Sequence, residues 1–138
     1  MSAQVRHRVL VCEAHPGHGE PVARLLLSVG YDVRCCPDEE SLIEAVAAQT
    51  PRVVVYELHH QLPVDLAILA LVRRVVPAVP LVVVAGQRAG PAANALRALH
   101  PTVLEHEPVD REELHSAVRA AVRRSRRREA RRPEPAEA

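Results

Sequence analysis

The sequence contains no Phe, no Trp and no Lys, and its only aromatics besides histidine are Tyr31 and Tyr56. A core without large aromatics must be built from Val, Leu, Ile and Ala. The chain also lacks the aromatic platform on which unpaired nucleic-acid bases stack. All 18 basic residues are Arg, a bias that fits a GC-rich bacterial coding sequence. Glycine is scarce, and Gly17-His-Gly19 is too short for a dinucleotide or phosphate loop. Three cysteines, Cys12, Cys35 and Cys36, make an odd count without metal-ligand spacing. That argues against a disulfide framework and points to a reducing cytoplasm. No apolar run approaches the ~20 residues of a membrane span, and the first residues lack a signal-peptide core. No membrane association is expected.

The 138 residues suffice for one domain with a full core. Their net charge of +1 hides a division. Residues 1–118 carry 10 Arg against 14 acids, whereas residues 119–138 carry 8 Arg against 3 acids. A mildly acidic body precedes a basic segment.

Strand and helix periods alternate five times along the chain. Arg8–Cys12 reads as a strand, and a helix through Val22–Leu27 stops at Gly30. Tyr31–Cys35 is a short strand, and Pro37-Asp38 opens a helix carrying Leu42, Ile43 and Val46. Pro51 precedes the β-branched strand Val53–Glu57, and Pro63 opens a third helix that Pro77 closes. Leu81–Val84 is a fourth strand, Pro91–Leu99 an Ala-rich helix, and Thr102–Leu104 a fifth strand. Asp110 and Glu113 are spaced as a capping box for a last helix with Leu114, Val118, Ala121 and Val122 on one face. Its register continues into the Arg run.

Five βα units of this size require crossovers and therefore a parallel sheet covered on both faces. The expected fold is α/β: a single doubly wound, flavodoxin-like, five-stranded parallel sheet of order 2-1-3-4-5 with five helices. Ligands of such sheets bind at the carboxyl ends of the strands, where Glu57, two histidines and Tyr56 stand together.

With those elements in place, the sequence resembles the receiver domain of bacterial two-component response regulators over roughly residues 7–124. The resemblance rests on the Gly30-Tyr31 step, the stretch TPRVVVYEL, the Pro63 loop and EHEP before the last helix. It implies a pocket of two acids after strand one, a phosphoacceptor aspartate ending strand three, a hydroxyl residue ending strand four and a lysine before a proline after strand five. Carried over by position, Glu13 holds the first acid position and Ala14 the second. Glu57 stands for the aspartate, Ala85 for the hydroxyl residue and Glu107 for the lysine, with Pro108 retained. Leu104 occupies the position of the switching aromatic.

These replacements have physical consequences. Glutamate is one methylene longer than aspartate, a displacement of about 1.5 Å, and misplacement on that scale costs ~100-fold in rate. The transferring phosphoryl group needs cations and donors on its oxygens. Ala85 offers none, and Glu107 brings the wrong charge. With neither hydroxyl nor aromatic, the parts that would sense Glu57 as a phosphoaspartate mimic are missing too.

Glu13, Glu57 and Glu107 are expected to converge, and close carboxylates raise one another's pKa unless a counter-charge intervenes. A divalent metal, an arginine such as Arg88 folding over from the loop after strand four, or protonated histidines would each supply it. His15, His18, His59, His60 and His106 lie at this edge. Simple hydrogen bonding of His59 or His106 to a glutamate is the expectation, because no HxH or HExxH spacing fixes a metal geometry. No cofactor is therefore expected; the alternative is a divalent transition metal on Glu13, Glu57, His15, His59 and His106.

The sequence thus reads as a receiver-like domain over 1–124, followed at 125–138 by an Arg-rich helical extension and disordered tail. The function it implies is a stand-alone, phosphorylation-independent pseudo-receiver: a non-enzymatic protein-interaction module in bacterial signalling. The alternative is a receiver whose remodelled pocket senses a ligand or transition metal. The third helix, VDLAILALVRRVV, is apolar on nearly all sides. It suggests a surface for a homodimer or a client protein, in competition with the face of helix four, strand five and helix five that the resemblance implies. The Arg run implies weak, nonspecific affinity for nucleic acid, and specific binding is not expected.

Overall fold

The computed structural model describes residues 7–12, 22–106 and 108–131. Within them, β1 (Arg8–Cys12), α1 (Val22–Ser28), β2 (Asp32–Cys35), α2 (Glu39–Ala48), β3 (Val53–Glu57), α3 (Leu62–Val75), β4 (Leu81–Val84), α4 (Ala89–Arg97), β5 (Thr102–Leu104) and α5 (Arg111–Arg131) follow in order. The five strands form one parallel sheet in the order β2-β1-β3-β4-β5. The sequence expectation for the fold is met in strand order, strand direction and helix number.

Strand residues alternate between two cores because successive side chains leave opposite faces of the pleat. Leu10, Val54, Tyr56, Leu81 and Val83 pack with Leu42, Val46, Leu69, Val72 and Leu96 from α2, α3 and α4. Val9, Val11, Val53, Val55, Val82 and Val84 pack with Leu25 and Leu26 of α1 and Leu114, Val118 and Val122 of α5. The central strands are buried on both faces, which is why they read as runs of valine rather than as alternation.

Several boundaries differ from the sequence reading. α4 begins at Ala89, two residues before Pro91. Gly86, at φ +55°, turns the chain into a 3₁₀ segment (Gly86–Arg88) that runs directly into the helix. Pro91 then falls in the first turn, where its missing N–H costs nothing. The reciprocal capping box belongs to α2. Asp38 accepts from the Ser41 amide at 2.8 Å, and the Ser41 hydroxyl accepts from the Asp38 amide at 3.3 Å. At α5 only half a box forms: Asp110 accepts from the Glu113 amide at 3.0 Å, while the Glu113 carboxylate bonds His106.

The third helix is less apolar outside than its sequence suggests. Ile68, Leu69 and Val72 are buried, and the exposed positions are Pro63, Val64, Ala67, Ala70, Arg74 and Val75, with valine only at the two ends. Alanines bury little area per residue, so this face has less to gain from a partner than the composition implies. No disulfide joins the three cysteines. Cys36, rather than Cys35, shares a core with Cys12, and Cys35 is exposed. Among the described residues, no helix is long and apolar enough to cross a membrane.

Candidate functional site

Parallel register sets the carboxyl edge of the sheet. Tyr56 is level with Cys12, Glu57 with Val84, and Val84 with Leu104. Glu57 is half-buried at the tip of β3. Ala85 follows Glu57's neighbour on β4, is buried, and donates its amide to the Leu104 carbonyl at 2.9 Å. Leu104 is a core residue against α5. Pro108 is exposed. Glu13, Ala14, His15, His18 and Glu107 lie outside the described residues.

Period two sends Tyr56 to the opposite face from Glu57, toward α3. There it meets Asp65, the one buried charged side chain among the described residues, at 0% exposure. The Tyr56 hydroxyl donates to Asp65 Oδ1 at 2.7 Å. The amides of His59 and His60 both donate to Oδ2 at 3.0 Å. Arg88 folds over from the turn after β4, placing its guanidinium 3.5 Å from Oδ2 and donating to the His60 carbonyl. His59 Nδ1 lies 2.7 Å from the Glu57 carbonyl, which fixes Nδ1 as the protonated nitrogen. The His59 ring stacks obliquely between Tyr56 and His60.

Asp65 thus carries donors on both oxygens. A carboxylate so saturated is unsuited to act as nucleophile or base. It ties the β3–α3 loop to the strand end and, through Arg88, to the β4–α4 turn. Burial, followed by the bond to Asp65, pushes the Tyr56 hydroxyl far above its ordinary pKa. His59, His60 and Asp65 each place a potential ligand atom within 4.8 Å of the others. An ion there would have to displace the amides or Tyr56 and would sit beside the Arg88 cation, so hydrogen bonding fits this cluster better than metal binding. Of the other suggested ligands, His106 bonds Glu113.

Tyr56→Phe removes one donor and leaves the others. It should lower stability by about 1 kcal/mol, read as a shifted denaturant midpoint with unchanged slope.

Arg88, one of three counter-charges that the sequence offers for the glutamates, folds over to Asp65 instead, a residue that the sequence reading does not single out. A signal was present: Asp65 lies in phase with Ile68, Leu69 and Val72, the buried stripe of α3. An acid on that stripe requires a buried donor, and Tyr56 at the preceding strand end is the nearest.

Neither a family model nor a curated protein matches this sequence. Solved structures do. The signal receiver domain of an HD domain-containing protein from Pseudomonas fluorescens Pf-5 superposes with a TM-score of 0.79 at 17% identity, over 96% of this chain and 98% of that one. The chemotaxis protein CheY4 of Vibrio cholerae gives 0.73 at 14% identity, over 85% of this chain and 99% of that one. NtrX from Brucella abortus gives 0.74 at 21% identity, over 91% of this chain.

The fold is that of a receiver domain.

The chain spans only 29% of the NtrX chain, so the likeness there is to one part of a larger protein. At these identities the likeness establishes the architecture. The residues at the strand ends must speak for the chemistry.

Proposed function

We propose that this protein is a phosphorylation-independent pseudo-receiver, a regulatory module that works through protein contacts in the cytoplasm of a bacterium. The observation that carries this reading is the register at the carboxyl edge. Glu57 ends β3 beside the Val84-Ala85 step, so a methyl group stands where a phosphoryl oxygen would need a hydroxyl donor. Arg88, the cation of the neighbouring turn, is engaged with Asp65 and the His60 carbonyl. Leu104, packed against α5, has no polar group with which to report a change at Glu57. Output through contact is supported by apolar side chains left outside, Leu27 and Val29 by α1 and Val64 and Val75 by α3.

Acetyl phosphate with magnesium should leave the protein unlabelled above background, as measured by intact mass and phosphate-affinity electrophoresis. Stoichiometric label that disappears in Glu57→Ala would sink the reading.

A further inference from the structure

α5 outruns its own hydrophobic face. Leu114, Val118, Ala121 and Val122 pack on the sheet, and beyond Val122 the helix continues to Arg131 without another large apolar residue. Polar contacts hold this second half to the body. Arg124 reaches the Thr102 hydroxyl at 3.4 Å, and Arg128 donates to the Ala78 carbonyl at 3.1 Å. These anchors lie at the beginning of β5 and ahead of β4, so the extension runs along the amino edge of the sheet, away from Glu57. Arg126 and Arg52 flank His7 there and, after burial, help hold its pKa down. Arg119, Arg123, Arg126 and Arg127 are exposed at spacings that align them along the helix. Residues 119–132 contain eight Arg and a single acid, Glu129.

We propose that Arg119, Arg123, Arg126 and Arg127 form a sequence-independent binding surface for duplex nucleic acid. Residues 119–131 extend about 18 Å along the helix axis, a length over which a duplex presents about ten phosphate charges. Guanidinium forks suit phosphate oxygens. Exposed arginines gain only about 0–1 kcal/mol each from discrete carboxylates, whereas a duplex also releases condensed counterions, a gain an acidic peptide does not offer to the same degree. An interfacial membrane helix needs a free apolar face, and the apolar face of α5 is committed to the sheet. Single strands need stacking aromatics, and the buried Tyr56 leaves only Tyr31 for that role.

The test uses the 138-residue chain and fluorescently labelled 30-base-pair duplexes of two unrelated sequences, followed by anisotropy from about 50 to 200 mM NaCl. Affinities for the two sequences should agree within about twofold, with log K falling against log salt at a slope near −3.6 for four phosphate contacts. The triple variant Arg123→Glu, Arg126→Glu, Arg127→Glu, checked for an unchanged denaturant midpoint, should bind about a hundredfold more weakly. The corresponding triple Lys variant should retain binding within a few-fold, since point charges suffice for phosphate. No binding at the lowest salt, a slope near zero, or an unaffected Glu variant would overturn the proposal. So would tighter binding, at equal salt, to polyglutamate or to phosphatidylserine vesicles.

Discussion

Asp65→Ala should lower the unfolding free energy by about 3–5 kcal/mol, the range for breaking a buried charged network by removing one partner. The substitution leaves the Tyr56 hydroxyl and the amides of His59 and His60 facing an apolar void, and each buried donor without an acceptor costs about 1–3 kcal/mol. The three penalties do not add in full, because the β3–α3 loop relaxes and water reaches it. Arg88 is partly exposed and keeps its bond to the His60 carbonyl, so its own loss is small. Asp65→Asn preserves volume and one acceptor oxygen and should fall between Asp65→Ala and the wild type. Urea denaturation of the three proteins at pH 7 measures this; a loss under about 1 kcal/mol for Asp65→Ala would show that the network is not a structural anchor.

A second large effect should appear in alkali. Burial, aided by the nearby Cys36 and Asp65, pushes the Cys12 thiol up to about 12. Below the ordinary thiol pKa of 9.0 the group is protonated folded and unfolded alike, and stability is undiminished. As pH rises further, the unfolded chain ionises while the folded thiol holds its proton, so the unfolded state gains. Each such pH unit costs about 1.4 kcal/mol. Cys12 by itself should therefore withdraw about 4 kcal/mol between pH 9 and pH 12. Tyr56, raised for the same first cause, adds to the loss above its ordinary value of 10.0. Denaturant midpoints from pH 7 to pH 11 should fall steeply above 9, and Cys12→Ala should flatten the profile while leaving the tyrosine's share. Identical profiles for the two proteins would refute the assignment.

The architecture was legible because it is written in local periods. Valine runs bounded by proline mark strands buried on both faces, and stripes such as Leu114, Val118 and Val122 mark helices with one side covered. The positions of Glu57, Ala85 and Leu104 at the strand ends followed from counting along those elements. α4 starts two residues before Pro91 because the left-handed Gly86 and its 3₁₀ turn, not the proline, set its beginning.

The sequence by itself determined the order and type of the elements and the residue types at the strand tips, since periodicity and identity are properties of neighbours along the chain. It could not say which polar groups meet. Tyr56 reaches Asp65 nine residues on, Arg88 reaches His60 across 28, and Arg128 reaches Ala78 across 50. Those pairings depend on how far each crossover helix carries the chain around the sheet before the next strand locks in register. Tertiary structure therefore turned an apolar-looking helix into the carrier of a buried carboxylate. It also laid the arginine run as a helix along the sheet edge, because only packing could bring donors and acceptors so distant in sequence within 3.5 Å.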